Sequence, residues 1–160
     1  MPDLSAEALA ADAHPPLSSG QFTALRLLPG EDLIAGLRKA QMATGAGAMA
    51  PVSCAGSLTR VMIRHANQPE GTLYQGHFEI TSLGGTIDPD GEHLHLTISD
   101  GHGQVFGGHL LPGSAVYTTA EIVLLLLPGL RFSRAPCAAS GYDELVVRAQ
   151  TQTERKDDNR

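Results

Sequence analysis

The sequence predicts an α+β domain: one helix set against a central, largely antiparallel β-sheet with few flanking helices. Three observations carry this. One segment, from Asp32 towards Thr44, traces a helical stripe of apolar or bulky residues (Leu33, Ile34, Leu37, Ala40, Gln41). Extended, mostly alternating segments then follow one another to the end of the chain, where a parallel sheet would need a helix between strands. The joints are short turn clusters, Asn67-Gln68-Pro69-Glu70-Gly71 and Asp88-Pro89-Asp90-Gly91 among them, and the 18 glycines and 10 prolines are enough to supply many of them.

At 160 residues the chain fits one domain and can bury about two-thirds of its unfolded surface without a disulfide or metal staple. With no Trp and few aromatic residues, the core has to be aliphatic. Met1 to Gly20 is Ala-rich and acidic and ends in the breaker run His14-Pro15-Pro16-Leu17-Ser18-Ser19-Gly20, so it is read as a tail preceding a domain over residues 21–150. Thr151 to Arg160 is a polar C-terminal tail.

The first strand is Gln21 to Leu28, stopped by Pro29-Gly30. Glu31 and Asp32 are expected in the first turn of the helix, where the macrodipole favours negative charge, and Gly45-Ala46-Gly47 ends it. Met49 to Gly56 and Leu58 to His65 read as two strand candidates, either one bent strand or a hairpin around Gly56-Ser57. In Tyr74 to Ile87, His77, Glu79 and Thr81 alternate with Phe78 and Ile80, and Gly84-Gly85 is expected to bend or bulge the strand. Val116 to Leu127 reads as a strand with an apolar end buried on both faces, with a helix as the competing assignment. Glu121 inside it would then need a partner, Arg131 or Arg134, because a lone buried carboxylate is costly. Leu130 to Arg134 and Glu144 to Arg148 close the series.

Seventeen acidic residues against eleven basic ones give a net charge of −6, and residues 21–150 alone hold eleven acids and eight bases. That is the wrong sign for gripping a phosphate backbone, so direct DNA binding is not expected. The N-terminus lacks the basic and apolar regions of a signal peptide, and the longest apolar run, Ile122 to Leu127, is far too short for a membrane span. Cys54 and Cys137 show no C-x-x-C spacing, which points to free thiols in a reducing compartment. A cytoplasmic protein is the expectation.

The chemistry concentrates between Gly91 and Gly113, which holds four of the seven histidines: His93, His95, His102 and His109. As a strand, His93 to Ser99 puts both leading histidines, Thr97 and Ser99 on one face and Leu94, Leu96 and Ile98 on the other. Asp100-Gly101-His102-Gly103 supplies a turn, and a second strand through Gly107-Gly108-His109 returns beside the first. Histidines at i and i+2 on a strand lie about 7 Å apart, near enough for both imidazoles to reach one ion at about 2.0–2.1 Å, and His109 would complete a triad for zinc or another divalent transition metal. The plainer reading is polar-face histidines hydrogen-bonded to Thr97 or Ser99. Glu79, Asp100, His102 and His77 are further candidates for contact with the site. A cupin metal site is excluded by spacing, since Ser99 stands where its glutamate should be. Gly107-Gly108 is assigned to close strand packing, because no helix start follows to make a phosphate site.

Taken in order, Pro29-Gly30-Glu31-Asp32, Gly76-His77-Phe78-Glu79-Ile80 with Leu83 and Gly85, His93-Leu94-His95, Asp100 and Gly103, Gly107-Gly108-His109-Leu110, Thr119-Ala120-Glu121-Ile122-Val123 and Phe132-Ser133-Arg134 resemble the PPC (plants and prokaryotes conserved) domain family, from about Phe22 to Val147. The resemblance implies an α+β fold with a central antiparallel sheet, a homotrimer, and in prokaryotic members a histidine cluster holding a metal such as zinc, matched here by His93, His95 and His109. Plant relatives add Arg-Gly-Arg-Pro AT-hooks, which this chain lacks, and carry Arg in the motif Gly-Arg-Phe-Glu-Ile-Leu where His77 stands. The function expected is a small binding or regulatory protein with a histidine-lined metal or small-ligand site. The alternatives are a hydrolase using zinc-bound water with Glu79 or Asp100 as general base, and a DNA-associated transcriptional regulator.

Overall fold

A computed structural model describes residues 15–150; the expected Ala-rich N-terminal tail falls largely, and the C-terminal tail wholly, outside them. The elements are β1 (Gln21–Leu27), α1 (Leu33–Thr44), β2 (Met49–Arg64), β3 (Thr72–Ile87), β4 (Glu92–Ser99), β5 (Val105–Leu110), β6 (Ala115–Leu126), β7 (Leu130–Pro136) and β8 (Asp143–Ala149). One helix against antiparallel strands is the α+β architecture the sequence predicts.

The helix begins one step later than expected. Asp32 is its N-cap, with Oδ1 accepting from the Ala35 N–H at 2.9 Å, and Glu31 lies outside, its carboxylate accepting from the Leu28 N–H at 2.6 Å. No acid occupies the first turn. Both carboxylates satisfy backbone donors directly, a stronger hold than a place near the dipole. Asp32 Oδ2 also accepts from the Gly113 N–H at 2.8 Å, so the cap ties α1 to the turn before β6. Gly45, at φ 63°, ends the helix in the left-handed region. The predicted stripe is the buried one: Leu33, Ile34, Leu37 and Gln41 face inward, and the Gln41 amide donates to the Ala46 carbonyl.

Six strands form one sheet in the order β1-β6-β2-β3-β4-β5, and β5 also pairs with the end of β2 through Ile63↔Leu110 and Arg64↔His109. The circuit β2-β3-β4-β5 therefore closes on itself, while β6 and β1 continue from the other part of β2. The two strand candidates between Met49 and His65 are one strand of 16 residues, kept continuous by register shifts near Val52, Ser57 and Thr59. That length lets β2 pair with β6 along its first part and with β5 at its end. Its inward residues Leu58, Val61 and Ile63 join Phe78, Ile80, Leu94, Leu96, Ile98, Ile122 and Leu124 in a mainly aliphatic core. Each such side chain, fully buried, contributes about 1.5–3 kcal/mol.

Two expectations for β6 are corrected. The strand is not buried on both faces: Ala120, Ile122 and Leu124 face the core, while Glu121 and Val123 are exposed. Glu121 consequently needs no buried cation. It stands opposite Arg26 of β1, and Arg134 is engaged elsewhere. A continuous apolar run hides the alternation because the outer positions are also apolar. In β3, the register shift lies between Ile80 and Ser82 rather than at Gly84-Gly85. Gly85 serves close approach instead: at φ 136°, a Cβ there would lie 1.9 Å from the His93 carbonyl oxygen.

β7 and β8 form a separate hairpin. Ala48, Leu130 and Phe132 make a small second core beneath it. Further along, Arg134 fastens it to the β3–β4 corner, with Nε 3.3 Å from Asp88 Oδ2 and Nη2 donating to Thr86 Oγ1 at 2.7 Å. Asp88 is wholly buried and also accepts from the Asp90 and Gly91 N–H groups. Cys54 and Cys137 are free thiols, and burial pushes Cys54 up to about 11. Among the described residues no helix is long and apolar enough to cross a membrane.

Candidate metal centre

Histidine pairing follows directly from strand register. β4 and β5 pair with His95 opposite His109, and His93 leads His95 by two on the same face. Gly107 and Gly108 make this possible: Cβ atoms there would lie 2.3 Å from the Leu96 carbonyl oxygen and 2.6 Å from that of Arg64. β5 therefore sits tight between β4 and β2, as close strand packing requires. His65 adds a pin, one ring nitrogen 3.2 Å from the Gly107 carbonyl oxygen and the other 2.7 Å from the Tyr74 hydroxyl.

His93, His95 and His109 each offer a ring nitrogen, and the three nitrogens lie within 4.8 Å of one another. His93 Nε2 and His95 Nε2 are 3.3 Å apart, and the ring of His93 is centred 5.0 Å from that of His109. The plainer partners, Thr97 and Ser99, make no hydrogen bond to any of the three among the described residues. Burial, then the charges of His93, Arg64 and His95, hold His109 down to about 4. Burial and His95 also lower His93. Neutral imidazole is the ligand form, and the environments of His93 and His109 favour it.

The remaining candidates lie elsewhere. Asp100 organises the β4–β5 turn, where Oδ1 accepts from the N–H groups of His102 and Gln104 at 2.9 Å each; these bonds hold its carboxyl below the usual range. His102 is exposed at that turn. Glu79 pairs with Ser99, at the opposite end of the β3–β4 ladder from Thr86↔His93. His77 stacks on Tyr117 of β6, rings 4.2 Å apart.

Sequence reasoning missed the neighbours that complete the surroundings. Arg64 stands directly opposite His109 across β2 and β5. It lines, with His93, His109 and residues of the β7–β8 hairpin including Asp143 and Glu144, a cavity of about 750 Å³. Only the β2–β5 pairing gives Arg64 this position, and nothing local in the sequence announces a contact 45 residues away.

Comparison with known proteins places the chain in company. A model of the Plants and Prokaryotes Conserved (PCC) domain matches residues 16–128, that is, everything up to the start of the β7–β8 hairpin. The chain is 45% identical over 132 residues to the bifunctional protein GlmU of Synechococcus sp., covering 82% of this chain and 21% of that protein. It thus spans about one-fifth of the length of the curated relatives it matches. A solved structure of a hypothetical protein from Salmonella cholerae-suis is 46% identical, with a TM-score of 0.84 over 86% of this chain and 100% of that one. A metal-containing protein from Archaeoglobus fulgidus has the same fold, at 24% identity and a TM-score of 0.70 over 85% and 99% of the two chains. So does a protein from Bacteroides thetaiotaomicron described as a candidate DNA-binding protein, at 19% identity and a TM-score of 0.67 over 80% and 96%.

Proposed function

The chain belongs to the Plants and Prokaryotes Conserved (PCC) domain family, and we propose that it acts as a homotrimeric binding or regulatory protein whose His93, His95 and His109 hold a divalent transition metal, zinc foremost. The observation that carries this is the convergence of three ring nitrogens within 4.8 Å. Imidazole nitrogen donors suit zinc, and a three-residue set leaves room for a further ligand. When bound, the ion would supply positive charge and an open coordination position at the wall of the cavity. The archaeal protein of the same fold is described as metal-containing, which is in keeping with this reading.

Binding is favoured over hydrolysis because the two carboxylates considered as general base are committed or remote. Asp100 is taken up by backbone amides, and Glu79 lies at the far end of its ladder. Trimeric assembly is supported by the outer face of the sheet, where Phe22 is 68% and Val123 37% exposed. Apolar side chains grouped on a sheet face mark a contact surface. Direct duplex binding is outside the proposal, despite the name of the Bacteroides protein, because the net charge is −6. Fluorescence anisotropy with AT-rich and random duplexes checks this: submicromolar affinity that falls steeply with salt would reinstate the DNA-associated reading.

Elemental analysis of untagged protein reloaded with zinc tests the metal centre. The expected result is retained zinc in the wild type and loss in His95→Ala. Equal zinc in both proteins would remove the site.

A further inference from the structure

Across three neighbouring strands the pairing register sets Arg64, His109 and His95 in one lateral row, with Gly84 next on β3. Residues paired in this way project from the same face of the sheet. Arg64 thus continues the line of the metal ligands, and at its other end Gly84 leaves open space where a side chain would stand. The charges around the cavity are not equivalent. Arg134 is bound to Asp88 and Thr86, and Glu92 is paired with Arg38 at 3.5 Å. Among the described residues, the side chain of Arg64 makes no hydrogen bond or ion pair. Its guanidinium is the cation at the histidine end of the cavity that has no anion of its own. Asp143 and Glu144 stand on the hairpin wall.

We propose that the cavity binds a small carboxylate, with one carboxylate oxygen directed to the metal centre of His93, His95 and His109 and the group held by the Arg64 guanidinium. Arginine presents a planar fork that matches a carboxylate, and a metal with three protein ligands accepts a further oxygen. The acidic hairpin wall favours a ligand that also carries a hydrogen-bond donor, a hydroxyl or amino group, and disfavours one with a second negative charge. A cavity of about 750 Å³ has room for a molecule of metabolite size. This ligand assignment rests on the metal reading above.

Cobalt(II) is the probe ion and glycolate the probe carboxylate, with the visible spectrum and calorimetry as readouts and circular dichroism to confirm folding. The expected result is a glycolate-dependent spectral change in the wild type. In Arg64→Ala, cobalt content stays unchanged and glycolate affinity falls about tenfold or more. Arg64→Lys, which keeps charge without the fork, should fall between them, and succinate should bind more weakly than glycolate. Equal glycolate affinity in wild type and Arg64→Ala, both carrying cobalt, would overturn the carboxylate site while leaving the metal centre standing. If the wild type takes up no metal, the metal reading fails by itself. Arg64 is then tested by calorimetry of metal-free protein, where glycolate binding lost in Arg64→Ala supports its role and absent binding overturns it.

Discussion

His95 and His109 are direct partners across the β4–β5 ladder, so register alone delivers two imidazoles to one point, and His93 arrives two residues along the same face. The site is consequently as rigid as the sheet, and changes that disturb the pairing of β4 with its neighbours should disturb it.

Gly85→Ala is a direct check of that dependence. A Cβ at this position meets the His93 carbonyl oxygen at 1.9 Å, and φ is 136°. The expected loss is at least about 2 kcal/mol in urea unfolding, with weakened metal uptake in whatever folds. Wild-type stability in this variant would show that the β3–β4 contact is looser than described.

Arg134→Ala should be costly although its hydrogen-bond partners are Asp88 and Thr86 rather than a histidine. It removes the guanidinium from the fully buried Asp88, which keeps only the backbone donors of Asp90 and Gly91. The expected destabilisation is on the order of 3 kcal/mol, and Arg134→Ala/Asp88→Asn should recover part of it. A loss below about 0.5 kcal/mol, the size of an ordinary surface change, would mean the pair is not a buried one.

Metal-free protein should lose stability on acidification. His109 is held at about 4 in the folded state against an ordinary value of 6.5, and His93 is lowered too. Between those values the unfolded chain binds protons that the folded chain does not. Stability therefore rises with pH from about 4 to about 6.5 and levels off above. Urea midpoints across that range check the sign, and His109→Gln should flatten the dependence. Stability that increases towards acid would contradict the environment assigned to these histidines.

Much of the fold was legible because period decides it. The stripe Leu33, Ile34, Leu37, Gln41 and the alternation of His93 to Ser99 each name a face without tertiary knowledge, and the triad followed once Asp100 to Gly103 was read as a turn. Failures came where periodicity is blind. In β6 both faces are apolar, one towards the core and one exposed, so Val123 and Glu121 looked buried. Near Val52 and Ser57 the register shifts inside a continuous strand, so local sequence left one bent strand and two strands both open. Arg64 enters the site only through a pairing between distant segments, and the β7–β8 hairpin through the contacts of Arg134 with Asp88 and Thr86; no local pattern encodes either.

Assembly can be measured independently of the metal. Light scattering after size exclusion should give about three times 16.8 kDa over a wide concentration range. Phe22→Glu, on the exposed outer face of β1, should shift the mass towards the monomer without unfolding the chain. A monomeric wild type would contradict the trimer.

The central claim is that three imidazoles share one ion, and X-ray absorption at the zinc edge of the reloaded protein reads that shell directly. The predicted result is about three imidazole nitrogens at about 2.0–2.1 Å with light-atom ligands completing the sphere. A sulfur shell near 2.3 Å, or a sphere of oxygen without imidazole scattering, would contradict it.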